Sequence, residues 1–147
     1  MQIAHVVKLR SNCLRREVGA VIVHEHMIIS TGYNGTPSGI TNCNEGGCPR
    51  CAGKTKSGSD LDQCICAHAE ENAIVQAARH GVALRDSVLY CTTSPCLICA
   101  KMIITAGIRK VTYEEEYRFS PIVRALFKEA GIVCCKFKTD PAASLSG

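Results

Sequence analysis

Tryptophan is absent from this 147-residue sequence, and aromatic residues make up only 5% of it. Proteins that track single-stranded nucleic acid stack bases on aromatic side chains, so this scarcity argues against such a role. No stretch approaches the ~20 consecutive apolar residues that a membrane-crossing helix needs. Charge of one sign is not concentrated either. The 17 Lys and Arg exceed the 13 Asp and Glu by a formal +4, short of the clustered basic footprint of a dedicated nucleic-acid binder but compatible with an anionic small molecule. The opening "MQIAHVVKLRSNC" lacks the charged, apolar, small-residue order of a secretory signal, which sets the expectation of a soluble, cytoplasmic protein. With 46% hydrophobic residues, the chain suffices for one compact domain around one core.

What the sequence has in excess is cysteine: eleven residues, an odd number. Several stand close to His and Glu, as metal ligands do, which favours metal binding over a disulfide framework. Cys91, Cys134 and Cys135 lie in apolar runs and are expected to pack as small hydrophobes.

Along the chain, "QIAHVVKLR" has helical apolar spacing, and "GAVIV" and "MIISTGY" read as two strands of a hairpin joined by "HEH". Residues 34–65 are glycine-rich with little apolar periodicity, a long loop of the kind that is functional or held by a ligand. Then follow the helix "HAEENAIVQAARHG", the strand "SVLYCTT" and the helix "PCLICAKMIITAG", with Pro95 at its first turn and Gly107 past its end. "RKVTYEEEY", "SPIVRALFKEAG" and "IVCCKF" complete a strand, a helix and a strand. Five strands interleaved with helices imply an α/β fold, a three-layer α/β/α sandwich with a five-stranded mixed sheet. The domain is expected to span residues 1–137, with a flexible C-terminal tail at 138–147.

Chemistry-bearing residues concentrate at two helix starts. If "SVLYCTT" lies between the two helices, their N-termini meet at one end of the sheet and bring His68, Cys96 and Cys99 together. Three protein ligands with one position left for water is the arrangement of a catalytic zinc, which lowers the pKa of that water from ~15.7 towards ~7. Glu70, two residues from a ligand, is placed to take and return the water's proton. A lone C-x-x-C or a lone H-x-E is a weak signal. H-x-E followed by P-C-x-x-C is the signature of the zinc nucleobase deaminases, and His68, Glu70, Pro95, Cys96 and Cys99 supply it in order.

Through "RSNCLRREVGAVIV", "IISTGYNGTPSG", "CAHAEENAI", "TTSPCLICAKMI" and "AGIRKVTYEEEY", the chain resembles the deoxycytidylate (dCMP) deaminases of the cytidine-deaminase superfamily. The zinc elements are shared across that superfamily and identify the reaction. "GYNGTP" resembles the nucleotide-binding loop of the dCMP deaminases and carries the substrate. The resemblance implies zinc-dependent hydrolysis of dCMP to dUMP and ammonia, supplying dUMP for thymidylate synthesis. It also implies a homo-oligomer, a hexamer in the family, with dCTP and dTTP as effectors and magnesium accompanying them. A tRNA or single-stranded nucleic-acid base deaminase and a non-enzymatic zinc-binding interaction module are the alternatives.

For the substrate, the backbone N–H of Ala69 at a helix start is the candidate donor to the base carbonyl. Asn34 offers a donor and an acceptor, Gly35 allows close approach, Thr36 offers a hydroxyl for the phosphate, and Pro37 stiffens the loop. Arg15, Arg16 and Arg79 are basic candidates for the phosphate. Arg16 is preferred together with Tyr117, which resembles a tyrosine that the family keeps near its nucleotide sites. Glu71 and Asn72 are expected on an exposed polar face. Finally, Cys13, Cys43, Cys48, Cys51, Cys64 and Cys66 converge on the long loop, which cannot order itself by apolar packing. A second, structural zinc is expected on four of Cys13, Cys43, Cys48, Cys51 and Cys66; Cys13, Cys43 and Cys66 match ligand positions of two-zinc family members.

Overall fold

The computed structural model describes residues 1–54, 56, 58–117 and 119–138. Apart from Lys138, the expected C-terminal tail lies outside the described residues. Strands β1 (Gly19–His24) and β2 (Met27–Tyr33) form the expected hairpin, with His24 paired to Met27 across a two-residue turn. Glu25 and His26 at its tip both take positive φ, 47° and 66°, the conformation by which so short a turn follows the strand twist. With β3 (Val88–Thr93), β4 (Lys110–Glu115) and β5 (Val133–Lys136) they make a five-stranded sheet in the order β2-β1-β3-β4-β5. β1 is antiparallel to both its neighbours, whereas β3, β4 and β5 run parallel. The sheet is therefore mixed, as expected.

Parallel neighbours need crossover connections. Helices α4 (Leu97–Thr105) and α5 (Pro121–Glu129) supply them, and α3 (Ala69–Arg79) leads into β3. All three helices stop in the same way. Gly81, Gly107 and Gly131 stand at φ 68°, 77° and 69°, and the next amide returns to a carbonyl of the last turn: Val82 to Ala77 at 2.9 Å, Ile108 to Ile103 at 3.3 Å, Ile132 to Phe127 at 2.8 Å. This closure satisfies carbonyls the helix leaves open and requires a left-handed residue, which glycine adopts at least cost.

Ala20, Ile22, Leu89, Cys91, Val111 and Tyr113 alternate towards one face of the sheet, where buried residues of α3, α4 and α5 close on them. Gly19 alternates with Ala20 and faces the other side, where helix α1 (Gln2–Lys8) crosses so closely that a Cβ on Gly19 would lie 2.2 Å from the Ala4 carbonyl oxygen. Helices thus cover both faces, giving the α/β/α layering. Cys91 is buried in the main core and Cys134 packs against it, while Cys135 is half-buried beside Thr112.

The segment between β2 and α3 is more ordered than its composition suggests. It holds two short 3-10 turns, Cys43–Glu45 and Leu61–Gln63, and a one-turn helix α2 (Pro49–Ala52). Its two ends are tied by a backbone bridge: Gly35 donates to Ala67 at 3.2 Å and Ala67 to Gly35 at 2.9 Å. Among the described residues no helix is long and apolar enough to cross a membrane.

Candidate active site

The two helix starts meet. His68 is the residue capping the start of α3 and Cys96 the one capping α4, which β3 reaches through Ser94 and Pro95. His68 Nδ1 lies 3.3 Å from Cys99 Sγ and 3.4 Å from Cys96 Sγ. Zinc bonds of ~2.0–2.1 Å to nitrogen and ~2.3 Å to sulfur make a tetrahedral N–S edge of ~3.5 Å, so these three donors fit a zinc ion. Their charges point the same way. The contact with Cys96 raises the His68 imidazole to about 9. Hydrogen bonding with Cys99 holds the Cys96 thiol at about 4, and the same contact, with burial, pushes Cys99 far up. Donors this crowded share protons that a bound cation would displace.

Glu70 sits in the first turn of α3 and is 4% exposed. Its neighbours include the Cys99 and Cys91 thiols. Burial raises its carboxyl to about 7, the range in which a group takes up and returns protons near neutrality.

A cavity of about 360 Å³ opens over Glu70 and is lined also by Ala69, Asn34, Arg16 and Tyr117. Arg16 stacks on the Tyr117 ring, guanidinium carbon 3.8 Å from the ring centre, so the two residues preferred for the phosphate stand together. Ser94 fixes Tyr117 from below: its hydroxyl donates to the Tyr117 carbonyl at 3.0 Å and accepts from the Tyr117 amide at 2.9 Å.

Asn34 is largely committed elsewhere. Its Oδ1 accepts from the Val18 amide at 2.7 Å and the Ser11 hydroxyl at 2.8 Å, and its Nδ2 donates to the Arg16 carbonyl at 2.7 Å. It braces the segment carrying Arg16 while lining the cavity. Gly35, Thr36 and Pro37 are not in the cavity wall. Gly35 is held in the bridge to Ala67, the Thr36 amide donates to Asn12 Oδ1 at 3.2 Å, and Pro37 is exposed. Arg79 is exposed in the last turn of α3, outside the cavity wall. Glu71 and Asn72 depart from the expected exposed face. Glu71 accepts from the His68 amide at 3.2 Å, and Asn72 donates to the Tyr33 carbonyl at 2.7 Å. A helix start has free amides to satisfy and a strand end a free carbonyl, and both side chains are spent on that.

The cavity lining also includes Cys13, Cys51, Cys64 and Cys66 with Arg15 and Arg50. Sequence reasoning did not single out Ser94, Thr93 or Arg50. The signals available were weak: a serine and a threonine just before "PC", and an arginine inside "CPRC".

Residues 1–115 match the family model of the cytidine and deoxycytidylate deaminase zinc-binding region. The chain is 47% identical over 132 residues to the deoxycytidylate deaminase of Schizosaccharomyces pombe, with 90% of this chain and 41% of that protein covered. It is 45% identical over 137 residues to that of Saccharomyces cerevisiae, with 93% and 43% covered; the chain thus spans about two fifths of the length of these relatives. The dCMP deaminase of cyanophage S-TIM5, solved in complex with dCMP and dUMP, is 37% identical with a TM-score of 0.76, and 92% of each chain is covered. A donor set of one histidine and two cysteines beside a buried glutamate, on a chain with these matches, belongs to the cytidine and deoxycytidylate deaminase family.

Proposed function

We propose that this chain deaminates dCMP to dUMP and ammonia, supplying dUMP for thymidylate synthesis. The observation that carries the reading is Glu70, buried beside the His68, Cys96 and Cys99 donors at the floor of a nucleotide-sized cavity. Held by those three residues, zinc supplies a Lewis acid that brings a water's pKa from ~15.7 towards ~7. Glu70 takes one proton from the water as its oxygen bonds to C4 and delivers that proton to N3 of the cytosine. It then carries the remaining proton of the added hydroxyl to the amine, whose bond to C4 breaks as ammonia leaves. The Ala69 amide donates to the base carbonyl and holds C4 in reach. Asn34 turns its remaining amide hydrogen to the sugar. Arg16, flattened on Tyr117, faces the phosphate, where a charge-assisted contact separates nucleotide from nucleoside.

The same reading treats residues 1–137 as one deaminase domain and places it inside the cell, where thiols stay reduced. It includes a structural zinc on four of Cys13, Cys43, Cys48, Cys51 and Cys66, a homo-oligomer, and dCTP or dTTP as effectors with magnesium. Ammonia release from dCMP, deoxycytidine and dCTP tests the activity. Strong preference for dCMP is expected, and equal kcat/KM for dCMP and deoxycytidine would reject the nucleotide assignment.

A further inference from the structure

The segment between β2 and α3 has a buried cluster of its own, and it is made of sulfur. Cys43, Cys48, Cys51 and Cys66 are its buried members, and Cys13 and Cys64 pack against them. Their sulfurs fall into two groups of four, Cys13, Cys43, Cys51, Cys66 and Cys48, Cys51, Cys64, Cys66, and within each group all four lie within 4.8 Å of one another. Cys51 and Cys66 belong to both groups. The Cys13–Cys51, Cys48–Cys64 and Cys51–Cys64 sulfurs are 3.9, 4.0 and 3.7 Å apart. A disulfide would require ~2.05 Å. A tetrahedron with metal–sulfur bonds of ~2.3 Å has edges of ~3.8 Å, which these distances match.

We infer that the six cysteines hold two zinc ions in two tetrahedra sharing the Cys51–Cys66 edge. Cys51 and Cys66 bridge the ions as thiolates; Cys13 and Cys43 complete one site, and Cys48 and Cys64 the other. This goes beyond a single structural zinc. One ion would use one group and leave two thiols of the other without a role in the centre of the segment, where Cys43 and Cys48 are each 0% exposed. Binding releases the six thiol protons to solvent. Two dications leave six thiolates still net negative, and a backbone amide faces that charge: Leu14 donates to the Cys43 sulfur at 3.5 Å. Such N–H to sulfur contacts orient and stabilise metal thiolates. Iron–sulfur clusters take cysteines as outer ligands around inorganic sulfide; thiols shared between two groups of four fit ions bridged by the thiolates themselves.

The test is metal content of the whole chain purified without chelator. Three zinc ions per chain are expected, the third at His68, Cys96 and Cys99, and two in His68→Ala. After exchange with 113Cd, two cluster signals should split each other through the bridging sulfurs, and the catalytic signal should stay single. Cys48→Ser should lose one cluster ion and Cys51→Ser both. Two zinc ions per chain, cadmium signals without mutual splitting, or iron with acid-labile sulfide would overturn the inference. The wild-type count and splitting decide the matter even if a variant fails to fold. Three zinc ions in a chain that leaves dCMP unchanged would support the cluster and reject the proposed activity.

Discussion

The His68, Cys96 and Cys99 donors and the six-thiol cluster border one cavity and are built on opposite plans. His68, Cys96 and Cys99 are mounted at the starts of α3 and α4, whose other faces are locked into the main core by Ala73, Ala77, Ala100 and Ile103. Their geometry is imposed by a scaffold that exists without metal. The cluster residues ride largely on turns and a one-turn helix, and among the described residues the apolar cluster they form is made of cysteines alone. There the ligands are the core. On the proposed reading, one metal centre is a passenger on a fold and the other is the reason a segment folds.

The sharpest way to isolate the first plan is Glu70→Gln. Because Glu70 is not among the donors, kcat should fall by ~10²–10⁴ with zinc content unchanged. More than about a tenth of the activity remaining would break the assignment of Glu70 to proton transfer. The second plan is broken by Cys51→Ser, which removes a thiolate from both groups at once. Residues 34–66 should then become protease-sensitive while circular dichroism of the sheet and helices persists, and KM for dCMP should rise more than kcat falls. Protection of that segment in the variant would mean that something other than metal orders it.

A smaller effect probes how the scaffold holds the catalytic helix. Gly32 on β2 lies so close to α3 that a Cβ there would come 2.2 Å from the Ala69 carbonyl oxygen and 2.4 Å from the Ala73 amide nitrogen. Backbone cannot yield as a flexible side chain can, so Gly32→Ala should cost ~1–3 kcal/mol of stability by thermal or denaturant unfolding. It should also lower kcat by tilting Glu70, whereas the cluster keeps its metal. The smallest effect belongs to the exposed Arg16–Tyr117 stack. Arg16→Ala should raise KM for dCMP about tenfold, in line with ~1.5 kcal/mol for an exposed charge-assisted contact to the phosphate. KM for deoxycytidine should not move.

The scaffolded plan was the more legible of the two in the sequence. Helical periodicity, proline and cysteine at a helix start, and glycine after the last turn are local signals, and they located α3 and α4 and hence the catalytic donors. The hairpin too was local, written in two apolar runs and the short polar spacer "HEH". What could not be read was the use of polar side chains across the chain. Asn34 offers the same donors and acceptors wherever it points, and only the fold shows it spent on Val18, Ser11 and Arg16. Glu71 and Asn72 likewise look like solvent-facing helix residues until the amide and carbonyl they satisfy are in place. Cysteines crowded on and around one long loop raised the expectation of a metal. Which of them meet depends on turns at Cys43–Glu45 and Pro49–Ala52 that carry no periodic pattern.

The bridge between Gly35 and Ala67 has a consequence for how such a chain can change over generations. Two backbone hydrogen bonds hold the ends of the long segment side by side, so whatever lies between them can lengthen or shorten without moving β2 or α3, at an entropic cost that grows only slowly with length. The link from β3 to α4, by contrast, is three residues, Ser94 to Cys96, and tolerates no insertion. Residues 36–66 are in this sense a cassette: the short connection keeps its length, and a new lining for the cavity can be spliced in between Gly35 and Ala67.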